Sequence, residues 1–112
     1  MLFIVNPRSG REQIKSKFLE ILDLFAKADY TIQIYITQNP KDATDAVKQY
    51  GIGKDLIVCS GGDGTLNEVV SGLAMMESPP LLGYIPAGST NDYASSLHVA
   101  KSGNSVKKFV VK

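Results

Sequence analysis

Apolar residues recur along the chain in short runs and in an alternating pattern that predict strands. Continuous apolar runs at Leu2–Val5, at residues 56–59 and at residues 81–85 are typical of strands buried on both faces of a sheet. At residues 31–37 apolar and polar side chains alternate, with three isoleucines on one face. This segment is therefore expected to be a strand with one partly exposed face, nearer the edge of the sheet.

All three segments between these strands carry apolar residues at helical spacing. Ser9 and Glu12 have the spacing of a capping box, and the apolar stripe that follows predicts a helix ending near Asp29. A later helix should include Leu66 and run to about Met76, because a Ser-Pro-Pro sequence then breaks it.

A helix between the second and third strands has its own start and stop signals. Asn39 is a good N-cap with Pro40 at the first helical position, and Gly51 is a plausible C-terminal stop. Residues 93–97 resemble a short helix, and an apolar run at residues 109–112 resembles the beginning of a strand. Because the chain stops within that run, we expect it to be part of a longer protein.

The alternation of strands and helices predicts an α/β fold. We expect a three-layer, Rossmann-like domain with a mainly parallel sheet and helices on both of its faces. In such sheets ligands bind beyond the carboxyl ends of the strands. Four polar segments follow strands and should therefore meet at one rim: residues 6–10, Thr37, residues 60–65 and residues 86–92.

The most informative stretch is the glycine-rich turn at residues 60–68, between the third strand and a helix. Backbone N–H groups at such a turn favour an oxygen-rich anion. The turn is not a P-loop, because it lacks Gly-Lys-Ser/Thr at the required spacing. It is not a dinucleotide fingerprint either, because Asn67 stands where the third glycine should be.

Asp63 makes this turn unusual, since a carboxylate beside phosphates repels them. The repulsion is overcome if the carboxylate binds Mg²⁺ or takes a proton from an acceptor hydroxyl. The turn therefore indicates nucleotide phosphate binding, with a metal-binding or catalytic role for Asp63. The alternative is that Asp63 caps the following helix. Thr65 and Glu68 also have capping-box spacing, which is the alternative role for Glu68.

Two further polar turns could add ligand contacts at the same rim. The turn at residues 6–10 offers N–H groups at a helix start, with Arg8 adding positive charge or remaining a solvated surface residue. At residues 88–92 hydroxyl, amide and carboxylate groups are denser than one helix cap requires. Thr37, at the end of the alternating strand, is a weaker candidate.

Composition narrows the class of protein only slightly. The chain has 112 residues, of which 44% are hydrophobic and 21% charged, as in an ordinary soluble domain. The net charge of +1 gives no support for nucleic-acid binding.

Cys59 is the single cysteine, which suggests a core residue of a protein in a reducing compartment. His98 is expected to be a surface or packing residue. No apolar stretch approaches the roughly 18 residues of a membrane span, so any membrane contact should be peripheral.

Three motifs, in this order and at this spacing, resemble one group of enzymes. They are Asn-Pro-Arg-Ser-Gly at residues 6–10, Gly-Gly-Asp-Gly-Thr-Leu-Asn-Glu at residues 61–68 and Ile-Pro-Ala-Gly-Ser-Thr-Asn-Asp-Tyr-Ala at residues 85–94. Together they resemble the catalytic domain of diacylglycerol kinases and of related lipid kinases such as sphingosine and ceramide kinases. The glycine–aspartate loop alone is shared with NAD kinases, so the other two motifs favour the lipid kinases.

The resemblance implies an ATP-binding domain like the N-terminal domain of NAD and diacylglycerol kinases, usually followed by a larger β-rich domain. In the family a threonine more often stands at position 89, and Ser89 keeps its hydroxyl. Metal ligands and the main catalytic base are expected in the second domain. The ATP contacts implied for this chain are Asn6, Pro7, Arg8, Ser9, Gly10, Thr37, Gly62, Asp63, Gly64, Thr65, Leu66, Asn67, Glu68 and Ser89.

We therefore predict that residues 1–112 form the nucleotide-binding domain of a longer two-domain kinase. The enzyme would use ATP and Mg²⁺ to phosphorylate a lipid hydroxyl, most readily that of diacylglycerol, giving phosphatidic acid. Its predicted partners are ATP or ADP and the lipid, met by a cytoplasmic protein at the inner membrane surface, with no nucleic acid and with a homodimer left open. The isolated chain should bind nucleotide weakly and lack kinase activity, and Asp63 is its only catalytic candidate.

Two alternatives remain open from the sequence. One is a kinase for a soluble acceptor such as NAD, and the other is a nucleotide-binding module without chemistry. A Rossmann oxidoreductase is disfavoured by Asn67 and by the lack of a ribose-binding acid at the expected distance.

Overall fold

The computed structural model describes residues 1–8, 13–86, 97–101 and 107–111, and the side chains of residues 1–8 and 17–85. Its strands are β1 (Leu2–Val5), β2 (Gln33–Ile36), β3 (Leu56–Gly61), β4 (Leu81–Pro86), β5 (Leu97–Lys101) and β6 (Lys107–Val111). Its helices are α1 (Gln13–Lys27), α2 (Asp42–Tyr50) and α3 (Asp63–Ala74).

The strands form one sheet in the order β2-β1-β3-β4-β6-β5. All neighbours are parallel except β5 and β6, which are antiparallel. From β1 the chain crosses to β2 on one side and then to β3 on the other. The strand order therefore reverses beside β1, and such a switch point opens a crevice at the carboxyl ends of the two diverging strands.

Helices cover both faces of the parallel strands, as predicted. On one face Phe3, Val5 and Val58 pack with Ile21 and Phe25 of α1. On the other face α2 and α3 cover a second cluster, which contains Leu2, Ile4, Ala43, Ala46, Val47, Ile57, Cys59, Val69, Leu73 and Leu82. Double coverage explains why β1 and β3 read as unbroken apolar runs, since each face of these strands needs apolar side chains.

The alternating segment forms β2 at the outer edge of the sheet, as its pattern predicted. The register pairs Phe3 with Ile34 and Val5 with Ile36, so these isoleucines lie on the α1 side. Both are exposed, at 42% and 52% respectively. On the opposite face Tyr35 packs against Tyr50 of α2, with ring centroids 5.8 Å apart.

The predicted start of α2 is wrong. Its N-cap is Lys41, in the left-handed region at φ 72°, so Asn39 and Pro40 belong to the preceding turn. The turn is stabilised instead by the Asp42 carboxylate, which folds back onto backbone N–H groups. The predicted stop is confirmed, because the Gly51 N–H donates to the carbonyl of Val47.

In the second half of the chain, other boundaries of strands and helices also differ from the prediction. β3 runs on to Gly61, two residues beyond the apolar run, and α3 ends at Ala74 rather than Met76. Leu97 begins a strand, which the helical pattern of residues 93–97 did not indicate. The apolar run at residue 109 does belong to a strand, β6. The capping box of Ser9 and Glu12, the polar turn at residues 88–92 and residues 93–96 of the predicted short helix lie outside the described residues.

α1 ends at Lys27, two residues before the predicted Asp29. The N–H of Asp29 donates to the carbonyl of Ala26, and the N–H of Tyr30 donates to that of Phe25. This is a Schellman motif, and its apolar contact is present because the Tyr30 and Phe25 rings lie 6.2 Å apart. The motif needs a left-handed residue, and Asp29 adopts φ 70° there.

Replacing Asp29 with glycine should raise the free energy of unfolding. Glycine adopts the left-handed region without a Cβ penalty, which outweighs its larger entropy loss, so we expect a gain of about 0.5 kcal/mol. Chemical unfolding of the protein carrying the Asp29→Gly change measures it.

Gly53 provides a control for which the expected change in the free energy of unfolding has the opposite sign. It has φ +79°, and a Cβ there would meet no heavy atom of the described residues within 4 Å. Gly53→Ala should therefore lower stability by about 1 kcal/mol through backbone strain alone. An Asp29→Gly variant that is less stable than the parent would contradict the assignment of the motif.

Candidate functional site

A cavity of about 280 Å³ opens at the carboxyl ends of β1, β2 and β3, at the switch point of the sheet. Three of the segments that the sequence placed at one rim do meet there. The turn after β1 supplies one wall, the turn between β2 and α2 another, and the start of α3 the third. The lining residues are Asn6, Arg8, Thr37, Asn39, Pro40, Ala43, Gly62, Gly64, Thr65 and Glu68.

Asn6 joins the first turn to the glycine-rich turn. Its backbone N–H donates to the carbonyl of Ser60 at 3.0 Å, which extends the pairing of β1 with β3 by one bond. Its side-chain Nδ2 donates to Thr65 Oγ1 at 3.2 Å, and its Oδ1 accepts from the Arg8 N–H at 3.0 Å. One amide side chain therefore fixes two walls of the cavity relative to each other.

The glycine-rich turn is shorter than the sequence suggested, because the strand and the helix almost meet. Gly62 alone separates them and is the N-cap of α3, with no side-chain cap bond. Asp63 is therefore the first helical residue, and neither the cap role for Asp63 nor the capping box of Thr65 and Glu68 is formed. The first N–H groups of any helix lack intrahelical partners, and at this end Gly64 and Thr65 of the first turn line the cavity.

Two of the turn glycines have no packing requirement within the described part of the chain. A Cβ built at Gly62 or at Gly64 meets no heavy atom within 4 Å among the described residues. Gly62 has φ −87°, which any residue adopts, and Gly64 lies within α3. Both positions line the cavity. Glycine at positions with free space and ordinary backbone angles indicates that something else approaches the backbone closely.

Gly61, by contrast, is required by packing. A Cβ there would lie 2.6 Å from Thr65 Oγ1 and 2.8 Å from Thr65 Cβ. The Tyr84 hydroxyl of the neighbouring strand β4 donates to the Gly61 carbonyl at 3.1 Å. The last residue of β3 is thus clamped between the first turn of α3 and β4.

The charges around the cavity are of both signs. Arg8 is exposed, and its Nη1 donates to the carbonyl of Gln38 at 2.7 Å, which holds the guanidinium at the cavity wall. Glu68 is half-buried and lines the same cavity, whereas Asp63 is exposed and lies beside it.

Two ionisable groups beneath the glycine-rich turn stay neutral near pH 7. Burial raises the pKa of the Cys59 thiol to about 12. Burial also raises the pKa of the Tyr84 phenol, with smaller contributions from Cys59 and Asp63. Both groups therefore act as uncharged hydrogen-bonding or packing groups below the site rather than as reactive anions.

Seven of the predicted site residues lie together around the cavity: Asn6, Arg8, Thr37, Gly62, Gly64, Thr65 and Glu68. Pro7, Asp63 and Leu66 are not among its lining residues. Asn67 lines a second cavity of about 390 Å³ between α2 and α3. Ser9, Gly10 and Ser89 lie outside the described residues.

Sequence reasoning missed three lining residues: Asn39, Pro40 and Ala43. Asn39 and Pro40 were interpreted as the start of a helix, which hid their place in a turn. Their position directly after Thr37, at the end of a strand, was a usable signal. Thr37 itself is buried, and its N–H donates to the Val5 carbonyl at 2.9 Å.

The model for the diacylglycerol kinase catalytic domain matches residues 1–111 of this sequence. The chain belongs to the diacylglycerol kinase catalytic domain family. It is 44% identical over 99 residues to a diacylglycerol kinase of Bacillus subtilis (strain 168), with 88% of this chain and 33% of that protein covered. It is 42% identical over 97 residues to a diacylglycerol kinase of Staphylococcus aureus (strain bovine RF122 / ET3-1), with 86% and 31% covered.

A solved structure of a diacylglycerol kinase from Bacillus anthracis str. Sterne has the same fold as this family member. The TM-score is 0.70 and the sequence identity 36%, with 83% of this chain and 32% of that chain covered. This chain thus spans about a third of the length of the curated diacylglycerol kinases that it matches. In the described part of the chain, none of the helices combines the length and apolar character that crossing a bilayer requires.

Gly61→Ala should destabilise this domain. The new Cβ overlaps the Thr65 side chain and displaces it from Asn6, so we expect the free energy of unfolding to fall by about 1–3 kcal/mol. The adjacent Gly62→Ala change, whose Cβ meets none of the described residues within 4 Å, is the control and should leave stability nearly unchanged. Equal unfolding midpoints for the two variants in urea would contradict the close contact at Gly61.

Proposed function

We propose that the chain is the ATP-binding part of a lipid kinase that transfers the γ-phosphoryl group of ATP to a lipid hydroxyl. The preferred acceptor is diacylglycerol, and the product is phosphatidic acid. The observation that carries the nucleotide assignment is the pair of glycines, Gly62 and Gly64. Neither is needed for packing against the described residues, and both open onto the cavity at the amino end of α3.

The amino end of α3 suits phosphate oxygens. Its N–H groups carry partial positive charge, and the lack of side chains at Gly62 and Gly64 allows oxygens to approach the backbone within hydrogen-bond distance. Arg8 on the facing wall adds a cation to the same space. In phosphoryl transfer, positioning and charge stabilisation of this kind supply most of the catalysis.

Mg²⁺ is the cofactor that the acidic residues of the site favour. Within the described residues there is no cluster of three or more His, Cys, Asp and Glu side chains. Mg²⁺ in kinases is usually held by one or two carboxylates together with the nucleotide phosphates, and the exposed carboxylate of Asp63 fits that pattern. Asp63, next to the phosphate end of the cavity, would hold the ion or orient the acceptor, and bound Mg²⁺ would neutralise developing phosphate charge.

The choice of acceptor is supported by the names of the relatives. The Bacillus subtilis and Staphylococcus aureus proteins are diacylglycerol kinases, and the chain matches about a third of each. We infer that the acceptor site and further catalytic groups belong to a second domain of the whole protein, so the isolated chain binds nucleotide without kinase activity. A lipid acceptor requires the whole protein to meet a membrane surface.

Gly62→Ala and Gly64→Ala should weaken nucleotide binding without weakening the fold. An added methyl group occupies the space of phosphate oxygens, so we expect the ATP dissociation constant to rise about 10-fold or more. Calorimetric titration with Mg·ATP measures the affinity, and thermal unfolding measures stability.

Gly72→Ala is the matched control for these variants. A Cβ at Gly72 would lie 2.9 Å from the Val47 Cβ, between α2 and α3 and away from the cavity. This variant should lose stability while keeping its affinity for ATP. Unchanged ATP affinity in both Gly62→Ala and Gly64→Ala would refute the nucleotide site.

The acceptor is tested separately with the whole protein. Vesicles that contain diacylglycerol should be phosphorylated when Mg·ATP is added, and NAD in the same buffer should not. Phosphorylation of NAD instead of lipid would overturn the acceptor assignment and leave the nucleotide site standing. ATP binding without transfer to either acceptor would favour a non-catalytic nucleotide-binding module.

A further inference from the structure

The turn between β2 and α2 forms one wall of the cavity and is held in an unusual way. Its last residue, Lys41, is the N-cap of α2 but makes no side-chain cap bond and lies at φ 72° and ψ −4°. A lysine in the left-handed region is strained, since its Cβ approaches the following carbonyl oxygen. Such strain persists only where surrounding contacts hold it in place.

Asp42, the first residue of α2, supplies those contacts. Its Oδ2 accepts from the N–H of Gln38 at 2.7 Å and from the N–H of Asn39 at 2.8 Å. Hydrogen bonds to an ionised carboxylate are about twice as strong as neutral ones. The strained Lys41 turns the chain so that this carboxylate faces back along the turn.

Arg8 holds the same turn from the opposite direction. Its Nη1 donates to the Gln38 carbonyl at 2.7 Å. Gln38 is therefore bound at its N–H by an anion and at its carbonyl by a cation. Both Arg8 and Asn39 line the cavity, whereas Asp42 is not among the lining residues.

We propose that Asp42 is a positioning residue of the nucleotide site. Its carboxylate fixes the Gln38–Asn39 backbone, which sets the wall formed by Asn39 and Pro40 and holds Arg8 at the cavity. Asp42 touches no ligand itself and acts through the turn. This inference rests on the proposed nucleotide-binding function.

A simpler role for Asp42 would be to stabilise the helix dipole. Asp45 is a second acidic residue in the first turn of α2. It would serve the dipole equally well, but among the described contacts its carboxylate accepts no hydrogen bond from the turn, and only its backbone N–H donates to the Lys41 carbonyl. The two carboxylates therefore separate the positioning role from the electrostatic one.

The experiment compares Asp42→Ala, Asp42→Asn and the matched control Asp45→Ala in the whole protein. For Asp42→Ala we expect the KM for Mg·ATP to rise roughly 10-fold with kcat changed less than about 3-fold, because bound nucleotide re-orders the wall. Asp42→Asn keeps an acceptor oxygen and should recover part of the affinity. The KM of Asp45→Ala for Mg·ATP should stay within about 2-fold of the parent value.

Thermal unfolding of each variant reports its overall stability, and amide hydrogen exchange at Gln38 and Asn39 reports the turn itself.

The outcomes distinguish this inference from the proposed function. Faster exchange at Gln38 and Asn39 together with weaker ATP binding in Asp42→Ala, but not in Asp45→Ala, supports the positioning role. Equal effects of Asp42→Ala and Asp45→Ala, or a parent-like KM in a folded Asp42→Ala variant, overturn it while ATP binding stands. If the parent protein binds no ATP, the proposed function fails and the inference fails with it.

Discussion

The pairing of β1 with β3 is the constraint on which the rest of the structure depends. These strands lie side by side and parallel, so their carboxyl ends finish at the same level of the sheet. The bond from the Asn6 N–H to the Ser60 carbonyl continues that pairing into the turns. β2 lies on the other side of β1 from β3, and the turns after these three strands line the crevice. The bond from Asn6 Nδ2 to Thr65 Oγ1, which joins two walls of the cavity, follows from this arrangement.

Patterns governed by burial were the ones that the sequence predicted well. The apolar run Leu2–Val5, the alternation around Ile34 and the stop at Gly51 each reflect a rule that acts over a few residues. The convergence of Asn6, Thr37 and the glycine-rich turn was also predictable, because parallel strands bring their carboxyl ends to one rim.

Features set by particular side-chain contacts, or by pairing with a later segment of the chain, could not be predicted in the same way. Asn39 and Pro40 match a helix start, but the Asp42 carboxylate accepts hydrogen bonds from the N–H groups of Gln38 and Asn39, and α2 begins only after the strained Lys41. The antiparallel strand that begins at Leu97 was missed because its pairing depends on β6, a later segment. The helical pattern of residues 93–97 reports only local spacing, and pairing with β6 overrides it at Leu97.

The outer edge of the sheet has a consequence for handling the protein. β2 is the last strand on its side of the described sheet, and Ile34 and Ile36 are exposed beside its unpaired backbone. An exposed strand edge with apolar neighbours is the usual template for pairing with a strand of another molecule. β2 limits such pairing only through its short length of four residues. The net charge of +1 supplies little mutual repulsion between molecules. Colloidal stability of the isolated chain therefore depends on solvent conditions, and concentrated solutions near neutral pH are the ones most exposed to aggregation through this edge.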